Sequence, residues 1–287
     1  MSTATDRQSS VGDWLEALKD SFRAFLRDDA TGLSKQIAYS SLLAFFPAVA
    51  FVLGALGLFH LYDNVVNLLE PIVPSGVISF IDNLQQDSSG STSAWAFVIG
   101  FVLAVWAASG AMNTIIKAVN RAYELQETRP VWRSRAIAIV LVLATGVTTA
   151  GVFTLIIVGG SLGDAIAKKA GLGSAFQWTW SIVRWPLAFC ALLLFFALVY
   201  YLGPDMRQRR WRWVTPGSLL GSALWLVLSG LFALYVKFAG NYTKTYGALA
   251  SGIILLLWLN YSAFALLYGA ELNSELDRKA KPARRGS

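Results

Sequence analysis

Six stretches of the chain, at about 37–60, 95–118, 135–160, 181–202, 214–238 and 246–270, run for 20 or more residues with no more than one Asp, Glu, Lys or Arg in each. About 20 apolar residues, rising 1.5 Å apiece as a helix, cross the roughly 30 Å of hydrocarbon in a bilayer. In lipid a lone segment must satisfy its backbone hydrogen bonds internally, so each stretch is predicted to be a helix. The expected fold is therefore all-α, a polytopic membrane protein with six transmembrane helices. The first stretch begins after about 36 residues and is too long for the apolar core of a secretory leader, so it reads as a span that stays in the membrane. Composition agrees: 55% of residues are hydrophobic, 14% are charged and the mean hydropathy is +0.53. A soluble domain averages about 25% charged, which excludes an ordinary water-soluble enzyme.

The net charge of +7 could suggest a nucleic-acid partner, but its placement argues for topology. Of the 24 Lys and Arg, 19 lie in the N-terminal segment, in 117–135, in 203–213 and in the tail; Lys168, Lys169, Arg184, Lys237 and Lys244 make up the rest. By the positive-inside rule both termini are expected in the cytoplasm, with which an even number of spans agrees, and no nucleic-acid partner is expected. Trp95, Trp132, Trp178, Trp180, Trp185, Trp211 and Trp213 fall near the proposed helix ends, at headgroup level.

Between the spans the pattern changes. Residues 1–36 read as a cytoplasmic N-terminal region whose helix, 11–28, carries Val11, Trp14, Leu15, Leu18, Phe22, Phe25 and Leu26 at spacings of three and four. Such a helix should lie along the membrane surface or cap the bundle. The external stretch 61–94 has no Lys or Arg, is broken by Pro71, Pro74 and Gly76, and reads as two short interfacial amphipathic helices followed by a polar loop over 85–93. The spanning domain extends over 37–278, and 279–287 form a disordered basic tail that can touch anionic lipid.

One Cys (Cys190, expected in the core) and one His (His60) preclude an internal disulfide or a His/Cys metal cage. No cofactor, metal site or catalytic residue is expected, and the absence of a P-loop pattern argues against ATP hydrolysis.

Two strings, QIAYSSLLAFFP at 36–47 and YGALASGIILLLWLNYSAFALLYGAELN at 246–273, together with AVNRAYE at 118–124, resemble the YihY/virulence factor BrkB family of bacterial inner-membrane proteins. The resemblance covers the six-span plan of the whole chain. It implies a multi-pass protein of the bacterial inner membrane, with transport as one suggested role. Some members carry a ribonuclease label, but a metal-dependent nuclease needs a cluster of His and Asp ligands that one His does not supply.

Polar residues inside spans are expensive and mark candidate sites. Ser109, Asn113 and Lys117 stand four apart in the second span, and Asn120 nearly continues that face. Gln36, Tyr39 and Ser40 open the first span ahead of Pro47; Asn260 lies within the last span, with Glu271 and Asn273 at its end. Positive-inside topology puts most of them at one depth, as a candidate polar cavity with Lys117 facing Glu271. The competing reading is glue, in which Asn and Ser bridge helices and Lys117 snorkels. Gly217 and Gly221 form a GxxxG that points to close helix packing. The leading functional reading is a non-ATP-driven transporter or a lipid-handling protein, with membrane lipids and a small-molecule or lipid substrate as partners. A structural or assembly protein is the alternative, and an intramembrane enzyme is least supported because GxSxG and HExxH are absent.

Overall fold

The computed structural model of the 287-residue chain describes residues 11–58, 94–155, 169, 174–206, 214–238 and 240–280. Among them are seven helices and no strand: α1 (Val11–Arg27), α2 (Ala30–Leu58), α3 (Ala94–Ala122), α4 (Val131–Phe153), α5 (Ser174–Leu202), α6 (Pro216–Phe238) and α7 (Gly240–Ala280). The last six each contain a segment long and apolar enough to cross a membrane, from Ala30–Val52 to Gly252–Lys279. The six-span reading therefore holds, with helix ends shifted by several residues. The shift is largest at α7, which runs on to Ala280, and α2 already includes Lys35 and Gln36. The interfacial helices expected over 61–94, most of the basic loop at 207–213, His60 and the tail beyond 280 lie outside the described residues.

The described residues divide into two compact units. One draws on Met1–Ala38, Ile115–Arg129 and Phe196–Ser287, the other on Tyr39–Thr114 and Pro130–Phe195.

In the first unit α1 packs on α7. Ala17, Ser21, Ala24 and Phe25 are its buried face. Phe25 packs against Phe264 with ring centroids 4.6 Å apart and tilted, and meets Tyr268 edge-on at 6.0 Å, while the Tyr268 hydroxyl donates to the Leu18 carbonyl at 3.1 Å. Trp14, Leu15, Phe22 and Leu26 stay exposed, so only half of the apolar stripe meets protein. Asp29 ends α1 and begins α2 at once. Its φ of 53° is a left-handed conformation that Asp tolerates, and its carboxylate accepts from the Gly32 amide as an N-cap. On α6 and α7, Gly217 and Gly269 let the backbones touch: a Cβ on Gly217 would collide with the Gly269 carbonyl and with Asn273. A Cβ on Gly221 would come within 2.9 Å of the Phe196 ring and the Tyr200 hydroxyl, so the GxxxG is a packing device as read from the sequence. Tyr200 of α5 closes this contact, donating to the Leu266 carbonyl at 2.7 Å. Trp225 and Trp258 bond Ser262 and Ser229 across the same pair of helices at 3.0 and 3.3 Å.

The second unit is held by the Phe51 ring against Phe97 and Phe101, at 5.3 and 5.2 Å, and by Arg135, which stacks on Trp106 at 4.1 Å. Pro47 and Pro186 sit inside α2 and α5, where each removes one helical hydrogen bond. Cys190 is exposed on α5 rather than in the core, because an apolar run in a membrane helix presents much of its surface to lipid instead of protein.

Candidate functional site

The ten candidate polar residues meet different fates. In the first unit Asn120, at the end of α3, is engaged on both sides of its amide: its Nδ2 donates to Glu127 at 2.9 Å and its Oδ1 accepts from the Asp205 amide at 2.7 Å. Asn273 is equally committed. Its Oδ1 accepts from the Gly217 amide at 2.8 Å and its Nδ2 donates to Thr215 Oγ1 at 3.0 Å. Thr215 and Ser218 cap each other reciprocally around Pro216 at the start of α6, and Asn273 supplies the further acceptor that this N-terminus needs. Gln36 and Lys117 are exposed, and Asn260 is half-buried.

In the second unit Asn113 accepts from Ser134 at 3.0 Å, and Ser40 accepts from Thr114 at 3.4 Å. Ser109 donates to the Trp106 carbonyl of its own helix, and Tyr39 is 59% exposed.

Glu271 differs from all of these. It is 2% exposed, and among the described residues its Oε1 has no hydrogen-bond partner. The pairing expected with Lys117 is not formed: among the described residues Lys117 makes no ion pair and points outward. The charges acting on Glu271 are instead those of Asp28, Arg27, Glu275 and Glu124.

A second constellation, outside the polar stripe, surrounds Arg129. Its guanidinium bonds both oxygens of Glu127 at 2.5 and 2.6 Å, reaches the Leu202 and Gly203 carbonyls at 3.2 and 2.8 Å, and lies 3.7 Å from Asp205. Those carbonyls are the unpaired C-terminal groups of α5, so Arg129 closes that helix. Asp205 in turn accepts from both the amide and hydroxyl of Thr128. The connection after α3 is thereby latched to the one after α5. The Arg129 guanidinium holds the Glu127 carboxyl below the usual carboxylate range. The sequence signal was ETRP at 127–130 opposite GPD at 203–205, an Arg between acidic loop residues that a tally of cations alone passes over.

Beside the latch lies a cavity of about 430 Å³ lined by Lys117, Asn120, Arg121, Glu124, Leu125, Gln126 and Glu127. Its far wall exists because α3 ends in a Schellman turn. The Leu125 amide returns to the Asn120 carbonyl at 2.8 Å and the Glu124 amide to the Arg121 carbonyl at 2.9 Å. Glu124 occupies the left-handed position with φ 53°, where glycine is usual, and its carboxylate pairs with Arg27 at 2.9 Å. No group of three or more His, Cys, Asp or Glu side chains among the described residues could hold a metal ion.

Comparison with known proteins adds the following. The family model described as "Virulence factor BrkB" matches residues 21–287. The ribonuclease-like protein YfkH of Bacillus subtilis (strain 168) is 28% identical over 265 residues, covering 92% of this chain and 96% of that one. The UPF0761 membrane protein IL2447 of Idiomarina loihiensis is 26% identical, covering 88% of each chain. The UPF0761 membrane protein Smlt0865 of Stenotrophomonas maltophilia is 24% identical over 92% of this chain, which spans 63% of that relative's length. No solved structure matches.

Proposed function

The chain belongs to the virulence factor BrkB family, and we propose that this member is a transporter or lipid-handling protein that works without ATP, with both termini in the cytoplasm. Its six apolar helices, in a family of bacterial membrane proteins, make it a multi-pass protein of the inner membrane. The observation that carries the proposal is Glu271, a carboxylate buried within the last spanning segment with one oxygen unpartnered. Burying such a group is expensive, and no helix-to-helix bond among the described residues repays it, so a role toward a substrate or ion explains its presence better than packing does. The orientation draws support from the 19 cations on one side.

The ribonuclease-like name of the Bacillus subtilis relative does not fit these residues. Metal-dependent RNA cleavage needs clustered ligands, and among the described residues no three His, Cys, Asp or Glu side chains are grouped to hold a metal ion.

The scaffold reading draws on Asn113, Asn120 and Asn273, which spend their amides on helix-to-helix and loop contacts. One experiment separates the two. A deletion strain is profiled for lipids and metabolites by leaflet and compartment, then complemented with wild type or Glu271→Gln. The transport reading expects one chemical species to redistribute, and Glu271→Gln to reach wild-type membrane levels without restoring it. Full restoration by Glu271→Gln, or an unchanged profile in the deletion, would favour the scaffold.

A further inference from the structure

We propose that the cavity at the end of α3 binds a phosphate group carried on an anionic lipid, with Lys117 and Arg121 as its ligands. The inference rests on the lipid-handling reading above and gives it a ligand class.

The charge inventory of the cavity leads there. Four of its lining side chains are charged, and both acidic ones are already matched: Glu124 by Arg27 at 2.9 Å and Glu127 by Arg129 at 2.5 Å. Lys117 and Arg121 are exposed and, among the described residues, make no ion pair, so the cavity carries two uncompensated positive charges. Asn120 is held in place by one bond on each side of its amide, to Glu127 and to the Asp205 amide, and carries no charge, so recognition falls chiefly to the two cations. The uncompensated charge at the cavity is therefore that of the two cations, and it favours an anion.

Spacing and depth narrow the anion. Residues four apart on a helix point the same way, with Cβ atoms about 5–6 Å apart, so an ammonium and a guanidinium fork converge on one group. A phosphate, with several oxygens spread over a tetrahedron, accepts from both at once. Lys117 lies a turn before, and Arg121 at, the end of the spanning segment Phe97–Ala122, which is the level of lipid headgroups. At about 430 Å³, with Leu125 on its wall, the cavity has room for a headgroup.

The test uses full-length protein in nanodiscs of phosphatidylcholine mixed with phosphatidylglycerol, counting the lipids that remain bound when the protein is released into detergent for native mass spectrometry. Wild type should retain phosphatidylglycerol several-fold over its share of the mixture. The double variant Lys117→Met with Arg121→Met should fall to parity, while the tail variant Arg284→Gln with Arg285→Gln should keep the enrichment. Enrichment that survives the double variant overturns the site. If that variant does not fold, the wild type decides: its enrichment must decline as salt rises from about 0.05 to 0.5 M, and a salt-insensitive preference refutes ligation by exposed cations. Inorganic phosphate is the second arm. If it displaces the lipid at millimolar concentration, the ligand is a soluble phosphate and the lipid source is wrong. A wild type that retains phosphatidylglycerol only at parity while still complementing the deletion phenotype sinks this site alone, whereas an unchanged deletion profile with phosphatidylglycerol retained sinks only the transport reading.

Discussion

The Asn273 Oδ1 sits 2.8 Å from the Gly217 amide, so the end of the last helix caps the beginning of the one before it. That bond ties residues 56 positions apart at a buried contact. Asn273→Leu leaves the amide unsatisfied away from water, a loss of about 1–3 kcal/mol. Thermal unfolding of the purified protein in detergent should show a Tm several degrees lower, and a Tm equal to wild type would mean the cap is dispensable.

The same contact makes a sharper contrast between glycines of one helix. Gly217→Ala places a methyl group against the Gly269 backbone, which has no flexible end to move aside, whereas Gly230 has open space around its Cα. Folded yield should collapse for Gly217→Ala. Gly230→Ala should be neutral or gain up to about 1 kcal/mol from helix propensity. Equal yields for the two variants would contradict the close approach.

The Arg129 latch predicts a pH dependence with a defined sign. Glu127 is held below its ordinary value of 4.5 mainly by its hydrogen bond to Arg129. A carboxylate depressed in the folded state contributes stability that is complete above the ordinary value and is lost as pH falls through the depressed one. Stability should thus be flat near neutrality and decline below about pH 4.5. Asp20, also held low, by Lys279, acts in the same direction from an exposed position. Arg129→Met should lower the Tm at neutral pH and flatten its decline in acid, read from Tm against pH for both proteins. A parallel decline in the two would show that the latch is not the titrating element.

The six spans were legible in the sequence because lipid imposes one rule on every residue of a run, and the GxxxG at Gly217 and Gly221 because close helix approach needs a missing Cβ. The family was legible in the same way, from the ends of the first and last spans. The polar stripe was only partly so. Spacing shows that Asn113, Lys117 and Asn120 share a helix face, but not which neighbour reaches them: Asn113 meets Ser134, Asn120 meets two acidic residues of the connections, and Lys117 meets neither Glu271 nor any other acidic residue described. The Arg129 latch joins residues some 75 positions apart in loops, where no periodicity exists to read.

Orientation is tested by labelling. With Cys190 replaced, single cysteines at Asp87 and Ser174 should react with an impermeant thiol reagent in intact cells, and one at Gln208 should react only after lysis, given the cations that surround it in sequence. Labelling at Gln208 in intact cells would invert the topology and move the cavity to the outer face.

Glu124 offers the most informative single substitution. A non-glycine residue in the left-handed region is strained by about 1–2 kcal/mol, of which glycine recovers part, less about 0.5–1 kcal/mol for its greater freedom when unfolded. Glu124→Gly also gives up an exposed ion pair with Arg27, worth under about 1 kcal/mol. The Tm should therefore stay level or rise slightly, which is unusual for deleting a charged residue that lines a cavity. The same change frees Arg27 and adds to the positive charge around Lys117 and Arg121, so retention of phosphatidylglycerol should increase. A Tm near wild type with weaker lipid retention would show that the Glu124 carboxylate helps to hold the headgroup, and that the cavity recognises more than a phosphate.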